Sequence, residues 1–115
     1  MVKDTMLSQK KCIPADVGTP AMSLPQARAL LREIPGWELA LDNRAIKRRL
    51  TFRDFMSALS FVNQLAAIAE SENHHPDIML GWGYAEIVLW THAVVGLHEN
   101  DFIMASKINQ LKSSR

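Results

Sequence analysis

The sequence has one cysteine, no excess of charge of either sign and no long apolar run. Cys12 stands alone among 115 residues, which excludes an intrachain disulfide and a metal site built from several thiolates. The 13 Lys and Arg residues nearly balance 12 Asp and Glu residues, so the net charge of +1 provides no field that attracts nucleic acid. We therefore expect no direct nucleic-acid partner.

The apolar stretches are shorter than the roughly 20 residues that a membrane-spanning helix needs, so no membrane partner is expected. The first five residues are too polar to begin a secretory signal, which predicts a cytoplasmic protein. Hydrophobic residues make up 48% of the chain, which is enough for one core. A second domain does not fit in this length.

The first 22 residues differ in composition from the rest. They carry Pro, Gly and small residues without helical or strand periodicity, so we interpret 1–22 as an extended N-terminal arm and 23–115 as the single domain. A helix opens this domain, because Ser23 is a good N-cap and Pro25 suits the first turn. Its apolar spacing of three and four residues stops at Pro35.

Two further segments alternate between apolar and polar residues and predict one antiparallel hairpin. Two more, rich in strand-forming residues such as Ile87 and Val88 and separated by a bend at Gly81 and Gly83, predict a second. The predicted strands are 37–41, 45–52, 77–82 and 84–92, and two more helices are predicted over 54–72 and 99–111. The order α-β-β-α-β-β-α predicts a two-layer α+β domain, in which a four-stranded antiparallel sheet carries its helices on one face. In the long helix, we expect the buried stripe to be Phe55, Leu59, Val62, Ala66 and Ala69.

Three histidines fall near the ends of the second hairpin. His74 and His75 come just before its first strand, and His92 closes its second. If these strands pair, the three imidazoles lie at one edge of the sheet. Imidazole has an ordinary pKa of about 6.5 and can donate or accept a proton near neutral pH. The spacing therefore predicts a proton-transfer site.

A metal site is the main alternative. Three histidines with Glu70, Asp77 or Asp101 could satisfy zinc or iron. Adjacent residues of an extended segment point to opposite sides, however, so His74 and His75 do not converge easily on one ion. The spacing favours acid/base chemistry over metal binding.

The histidines belong to a longer pattern of residues. It comprises Glu70-Ser71-Glu72-Asn73-His74-His75-Pro76, Thr91-His92, Gly96-Leu97, Asp101, Gly36-Trp37, the segment from Ile46 to Phe55, and Ala105. This pattern resembles the pterin-4a-carbinolamine dehydratases, also known as dimerisation cofactors of a hepatocyte homeodomain transcription factor. The resemblance extends over about 24–111.

The resemblance implies dehydration of 4a-hydroxytetrahydropterin to the quinonoid dihydropterin, with no metal or organic cofactor. It implies that His74, His75 and His92 are catalytic, with His75 and His92 in the direct proton transfers and His74 at the hydroxyl group. The implied substrate-binding residues are Pro76, Thr91, Ala93, Val94, Glu70, Asp101 and Trp37. Two of these residues also have a structural alternative. Asp101 could interact with the dipole of the last helix, and Trp37 could lie in the core.

The resemblance also implies partners. They are a reduced pterin as substrate, other copies of the chain in a homodimer or homotetramer, and an aromatic amino acid hydroxylase in the same pathway. Alternative functions are a non-enzymatic module that binds a transcription factor and a pterin-related role in molybdenum cofactor metabolism. The basic hairpin around Arg48 does not indicate nucleic-acid binding, because alternation places Arg48 on the other side from Lys47 and Arg49.

Some positions depart from the family pattern. Ala93 replaces a polar residue, Val95 replaces a small one, and Ala15 stands where bacterial relatives often have a second cysteine. His98 stands where Ser or Thr usually caps the last helix, which predicts a weaker cap.

Overall fold

The computed structural model describes residues 7–111. Residues 1–6 of the predicted arm and 112–115 of the predicted domain lie outside the described residues. The helices are α1 (Leu24–Leu31), α2 (Phe55–Glu72) and α3 (Glu99–Asn109), and the strands are β1 (Glu38–Ala40), β2 (Ala45–Thr51), β3 (Asp77–Gly81) and β4 (Tyr84–Leu89). This order confirms the predicted two-layer α+β fold.

The sheet is antiparallel throughout and has the strand order β1-β2-β4-β3. Its two hairpins meet where β2 pairs with β4, which leaves β1 and β3 as the outer strands. In the second hairpin Asp77 lies opposite Val88. The residues that precede β3 and those that follow β4 are therefore neighbours at one edge of the sheet, as the strand pairing predicted.

Helix α2 is capped at both ends. The Asp54 carboxylate accepts a hydrogen bond of 2.8 Å from the amide of Ser57, which holds the pKa of Asp54 below its ordinary value. At the other end Asn73 adopts the left-handed conformation, with φ of 53°. This cap turns the chain sharply, so that the residues after it leave the helix axis and enter β3.

The buried face of α2 differs from the predicted stripe. Its buried hydrophobic residues are Ala58, Phe61, Leu65 and Ala69, whereas Phe55 is 41% exposed. The prediction was therefore wrong for Phe55 and for Ala66, which is also exposed; of the predicted stripe only Ala69 is fully buried. Apolar residues occur on two sides of this helix, so periodicity alone could not identify the side that faces the sheet.

Helix α3 is buried on almost every side, including its polar first turn. The N-terminal arm covers part of it, because Lys107 donates a hydrogen bond to the carbonyl of Ser8 and Asn100 bonds to the backbone of Ile13. Residues 7–9 are helical, and Leu7 belongs to the hydrophobic core. The described part of the arm is thus packed against the domain.

The basic residues of β2 point in different directions. Arg48 donates a hydrogen bond to Asn109 of α3, whereas Arg49 lies 4.0 Å from the centroid of the Tyr84 ring and 3.7 Å from the Glu86 carboxylate. The predicted division of this charge between two faces is confirmed. Within residues 7–111, no helix combines the length and hydropathy needed to cross a membrane.

Candidate active site

The first of the three histidines is tied to a buried carboxylate. Nε2 of His74 lies 2.7 Å from Oδ1 of Asp101, and the side chain of Asp101 has no exposed surface. A carboxylate can only accept hydrogen bonds, so Nε2 of His74 is the nitrogen that carries the proton. This contact fixes the tautomer and the ring orientation, and it leaves Nδ1 as the acceptor in the neutral ring.

The other oxygen of Asp101 is also occupied. Oδ2 accepts hydrogen bonds from the hydroxyl group of Thr91 at 2.9 Å and from the backbone amide of His98 at 3.0 Å. Asp101 therefore lies at the start of α3, where its carboxylate pairs with the backbone amide of His98, which has no partner within the helix. The same carboxylate orients His74. The structural alternative for Asp101, a place at the start of the last helix, is therefore present, and the same buried carboxylate supports His74 from behind.

The second histidine lies in a more open environment. Nε2 of His75 is 2.5 Å from Oε2 of Glu70, and both side chains are more than half exposed. The side chain of His74, in contrast, is only 12% exposed. Solvent screens an exposed pair, so the link to Glu70 constrains His75 less than Asp101 constrains His74.

The third histidine is held by an aromatic ring. Strand β4 ends at Leu89, before the predicted end, because Thr91 forms an isolated bridge with Gly96 and His92 begins a 3₁₀ turn. The indole of Trp90 stacks on the His92 imidazole, and its N–H donates to Asp77. His92 is exposed and available to a ligand.

The three imidazoles line one open pocket of about 410 Å³. The pocket is lined by His74, His75, His92, Thr91, Ala93, Asn73, Asn100, Ile13, Pro14 and Ala15. Three predicted catalytic residues and two predicted substrate-binding residues, Thr91 and Ala93, are therefore together. The predicted substrate-binding residues Pro76, Val94, Glu70, Asp101 and Trp37 do not belong to this lining.

Trp37 lies in the core. It is almost fully buried, and its indole N–H donates a hydrogen bond of 2.8 Å to Asn109 at the end of α3. The indole thus has a structural partner, which corresponds to the core alternative for this residue rather than to a pterin contact.

The sequence reasoning missed the contributions of the arm and of Asn100. The sequence of a segment without periodicity does not indicate which part of the domain the segment packs against. Asn100 had a weak signal, since a polar residue with two donors and an acceptor often bridges backbone groups at a helix start. Among residues 7–111, no group of three or more His, Cys, Asp and Glu side chains has an arrangement that could hold a metal ion.

The fold and the pocket define a two-layer α+β domain in which the edge of an antiparallel sheet presents three imidazoles to a ligand. The chain belongs to the pterin 4 alpha carbinolamine dehydratase family, whose profile matches residues 20–111. A candidate pterin-4-alpha-carbinolamine dehydratase of Halorhodospira halophila is 50% identical over 105 residues, which are 91% of this chain and 96% of that protein.

A mitochondrial member and a solved structure extend this comparison. Pterin-4-alpha-carbinolamine dehydratase 2 of Arabidopsis thaliana is 46% identical, over 92% of this chain and 59% of that protein. The crystal structure of a transcriptional coactivator/pterin dehydratase from Brucella melitensis matches with a TM-score of 0.74 and 32% identity, over 77% of this chain and 95% of that chain. Sequence and fold therefore agree on the family.

Proposed function

We propose that this protein catalyses the dehydration of 4a-hydroxytetrahydropterin, such as 4a-hydroxytetrahydrobiopterin, to the quinonoid dihydropterin during tetrahydropterin recycling. The observation that carries the proposal is the convergence of three imidazoles on one pocket, one of them bonded to a fully buried carboxylate. In this proposal the histidines act as acid and base, and the reaction makes it a hydro-lyase.

The reaction requires two proton movements. The 4a-hydroxyl group leaves as water after it receives a proton, and the neighbouring ring nitrogen loses its proton as the carbon–nitrogen double bond forms. One imidazolium donates the first proton and one neutral imidazole accepts the second. The protons balance over the cycle, so a pocket with several imidazoles meets the requirement without a redox step.

His74 is suited to hold the hydroxyl group. Its Nε2–H is committed to Asp101, so Nδ1 of the neutral ring can accept the hydrogen of the 4a-hydroxyl. A rigid acceptor fixes the position of the hydroxyl oxygen that leaves as water. His74 thus contributes to catalysis by orienting the substrate rather than by transferring a proton. Asp101 is a positioning residue in this scheme.

His92 and His75 are suited to the direct proton transfers. Within residues 7–111, neither ring nitrogen of His92 has a hydrogen-bond partner, so both remain available to a substrate. His75 uses one nitrogen for Glu70 and retains the other. The two rings line the same pocket and can act on different atoms of one pterin.

The test is the rate of breakdown of the 4a-carbinolamine, followed by ultraviolet absorbance and corrected for the uncatalysed rate. We expect His92→Ala and His75→Ala to lower kcat by about 10²-fold or more, because general acid/base catalysis contributes on that scale. The control is His98→Ser, since His98 does not line the pocket. Equal rates for the wild type and both alanine variants would reject the acid/base assignment.

A metal-dependent reaction is tested with the same preparation. Metal content is measured on the purified protein, and the carbinolamine assay is repeated after treatment with a chelator. We expect the rate to survive chelation. One equivalent of metal together with loss of activity would instead support the zinc or iron alternative.

A second candidate function is association with another protein. Phe55 and Met56 at the start of α2 are exposed, and the related Brucella melitensis protein is described as a transcriptional coactivator as well as a pterin dehydratase. The variant Met56→Glu separates the two functions, because it alters this surface at a distance from the pocket lining. If Met56→Glu no longer associates with a partner protein but retains full carbinolamine turnover, protein association is independent of catalysis.

Self-association and location complete the proposal. The outer strands β1 and β3 have unpaired edges within residues 7–111, which favours a dimer or tetramer. Sedimentation at micromolar concentration tests this, and a clean monomer would contradict it. The cytoplasmic location predicted from the sequence is tested by cell fractionation.

A further inference from the structure

Part of the histidine pocket is formed by the N-terminal arm. Ile13, Pro14 and Ala15 line it together with the histidines, although they precede the first of them by about 60 positions. These three residues belong to neither a helix nor a strand. Their position must therefore be set by contacts with the domain.

Asn100 is the main contact. Its Oδ1 accepts a hydrogen bond of 2.9 Å from the amide of Ile13, and its Nδ2 donates one of 2.6 Å to the carbonyl of Ile13. The side-chain amide thus pairs with both backbone groups of one residue, as a neighbouring strand would. Asn100 is buried and directly precedes Asp101, so one turn of α3 holds both the arm and His74.

Glu72 provides a second contact. Its Oε1 accepts a hydrogen bond of 2.8 Å from the amide of Cys12, and its Oε2 lies 3.6 Å from Nζ of Lys107, which also donates to the carbonyl of Ser8. Burial opposes ionisation of Glu72, but the Cys12 amide and the charges of Lys107 and Lys11 outweigh it, so its pKa is lowered. The carboxylate remains charged near neutral pH and keeps the arm in place.

The chemistry of the arm indicates a binding role. None of its three lining residues can transfer a proton, and Ile13 is a large apolar side chain that is 59% exposed at the pocket. Pro14 lacks an amide hydrogen and has a restricted φ, so the segment is stiff beside Ile13. An apolar, stiff surface next to catalytic groups can pack against a flat ring without entering the reaction.

We propose that Ile13, held in place by Asn100, is a substrate-binding residue whose side chain packs against the reduced pterin and determines how tightly it binds. The inference rests on the proposed function for the identity of the ligand. It assigns the described arm to the active site, whereas the chemistry belongs to the histidines. The arm therefore acts on KM and leaves kcat nearly unchanged.

The experiment compares two arm variants with a matched control. Ile13→Ser removes the apolar contact at an exposed position, and Asn100→Ala releases the backbone of the arm. Val17→Ser is the control, because Val17 is an exposed residue of the arm outside the pocket lining. We expect Ile13→Ser to raise KM by about 3- to 10-fold with kcat within about 2-fold of wild type, and Val17→Ser to change neither.

A binding measurement makes the result independent of turnover. The probe is dihydrobiopterin, which carries no 4a-hydroxyl group, and its Kd is measured by calorimetry for the wild type and the same variants. We expect Kd to increase in Ile13→Ser and Asn100→Ala by factors similar to those in KM. Circular dichroism of each variant verifies that the domain is folded.

The outcomes separate the inference from the proposed function. Unchanged KM and Kd in folded Ile13→Ser would overturn the inference, as would a fall in kcat alone. A wild-type protein that binds the probe through Ile13 but does not dehydrate the carbinolamine would uphold the inference and reject the proposed reaction. Absence of any pterin binding to the wild type would overturn both.

Discussion

The indole of Trp90 and the imidazole of His92 are stacked, with ring centroids 4.0 Å apart and ring planes inclined by 23°. The indole is fixed in turn by its N–H, which lies 3.3 Å from Oδ2 of Asp77. Within residues 7–111, no hydrogen bond holds the ring of His92. Stacking is therefore the interaction that sets the plane of this imidazole.

Replacing the stacked indole should weaken catalysis in a graded way. We expect Trp90→Leu to lower kcat by about 3- to 10-fold, since aromatic pairs contribute about 0.5–1.5 kcal/mol. Trp90→Phe should retain most of the rate because a ring remains. Trp82→Leu is the control, because Trp82 is exposed in the turn after β3. Equal kcat for Trp90→Leu and wild type would contradict this role.

The carboxylate of Asp101 should affect both stability and rate. In Asp101→Asn the buried side chain can no longer accept hydrogen bonds from all three of its donors, which costs about 1–3 kcal/mol in the free energy of unfolding. We also expect kcat to fall by at least about 10-fold, because the tautomer of His74 is no longer fixed. Urea unfolding and the carbinolamine assay measure the two effects. Asp42→Asn, in the exposed turn of the first hairpin, should be neutral in both.

His98 caps α3, contrary to the weak cap expected from the sequence. Its Nδ1 accepts a hydrogen bond of 3.0 Å from the amide of Asn100. We expect His98→Ala to lower the free energy of unfolding by about 0.5–2 kcal/mol, and His98→Ser to restore it. If urea unfolding gives the same midpoint for wild type and His98→Ala, the imidazole has no capping role.

The thiol of Cys12 should make the protein less stable in alkali. Burial, followed by the nearby Glu72 carboxylate, raises the pKa of Cys12 from 9.0 to about 12. Between these pH values the unfolded chain has lost the thiol proton and the folded protein has kept it. The unfolded state then binds fewer protons, so the free energy of unfolding falls as pH rises.

Thermal unfolding of wild type and Cys12→Ser from pH 8 to 11 measures this effect. We expect the wild type to lose stability more steeply over this range than the serine variant. Iodoacetamide should also modify Cys12 more slowly in the native protein than in urea, because the thiolate is the reactive form. Parallel stability curves for the two proteins would show that another group is responsible.

The two phenylalanines of α2 should respond very differently to truncation. Phe61 is buried against Phe52, with ring centroids 5.4 Å apart, so Phe61→Ala should cost about 3–5 kcal/mol in the free energy of unfolding. Phe55→Ala should lower the free energy of unfolding of the monomer much less, because Phe55 is exposed. Denaturant unfolding at several protein concentrations tests this contrast.

The order of helices and strands could be predicted because each segment has its own period and its own terminating residues. Ser23, Pro35, Asp54 and Asn73 act locally, and the structure places element ends close to each of them. The buried side of α2 could not be predicted in the same way. It depends on which apolar stripe meets the sheet, and Phe55 and Phe61 look equally suitable in the sequence.

The histidine part of the site was predictable for a different reason. Strand pairing brings the residues before β3 and after β4 to one edge, and the pattern around His74 and His92 is specific. The part of the pocket lining formed by Ile13 depends on hydrogen bonds between residues 87 positions apart. No local pattern in the sequence encodes such a contact.

The bond between Asn100 and Ile13 has a consequence for how the protein matures. The pocket combines residues 87 positions apart in the sequence, and Asp101 must be present before His74 is oriented. During synthesis, which proceeds from the N-terminus, the three histidines that flank β3 and β4 leave the ribosome before α3 does. A nascent chain therefore carries its imidazoles without a complete pocket, which forms only when α3 has joined the arm to the sheet.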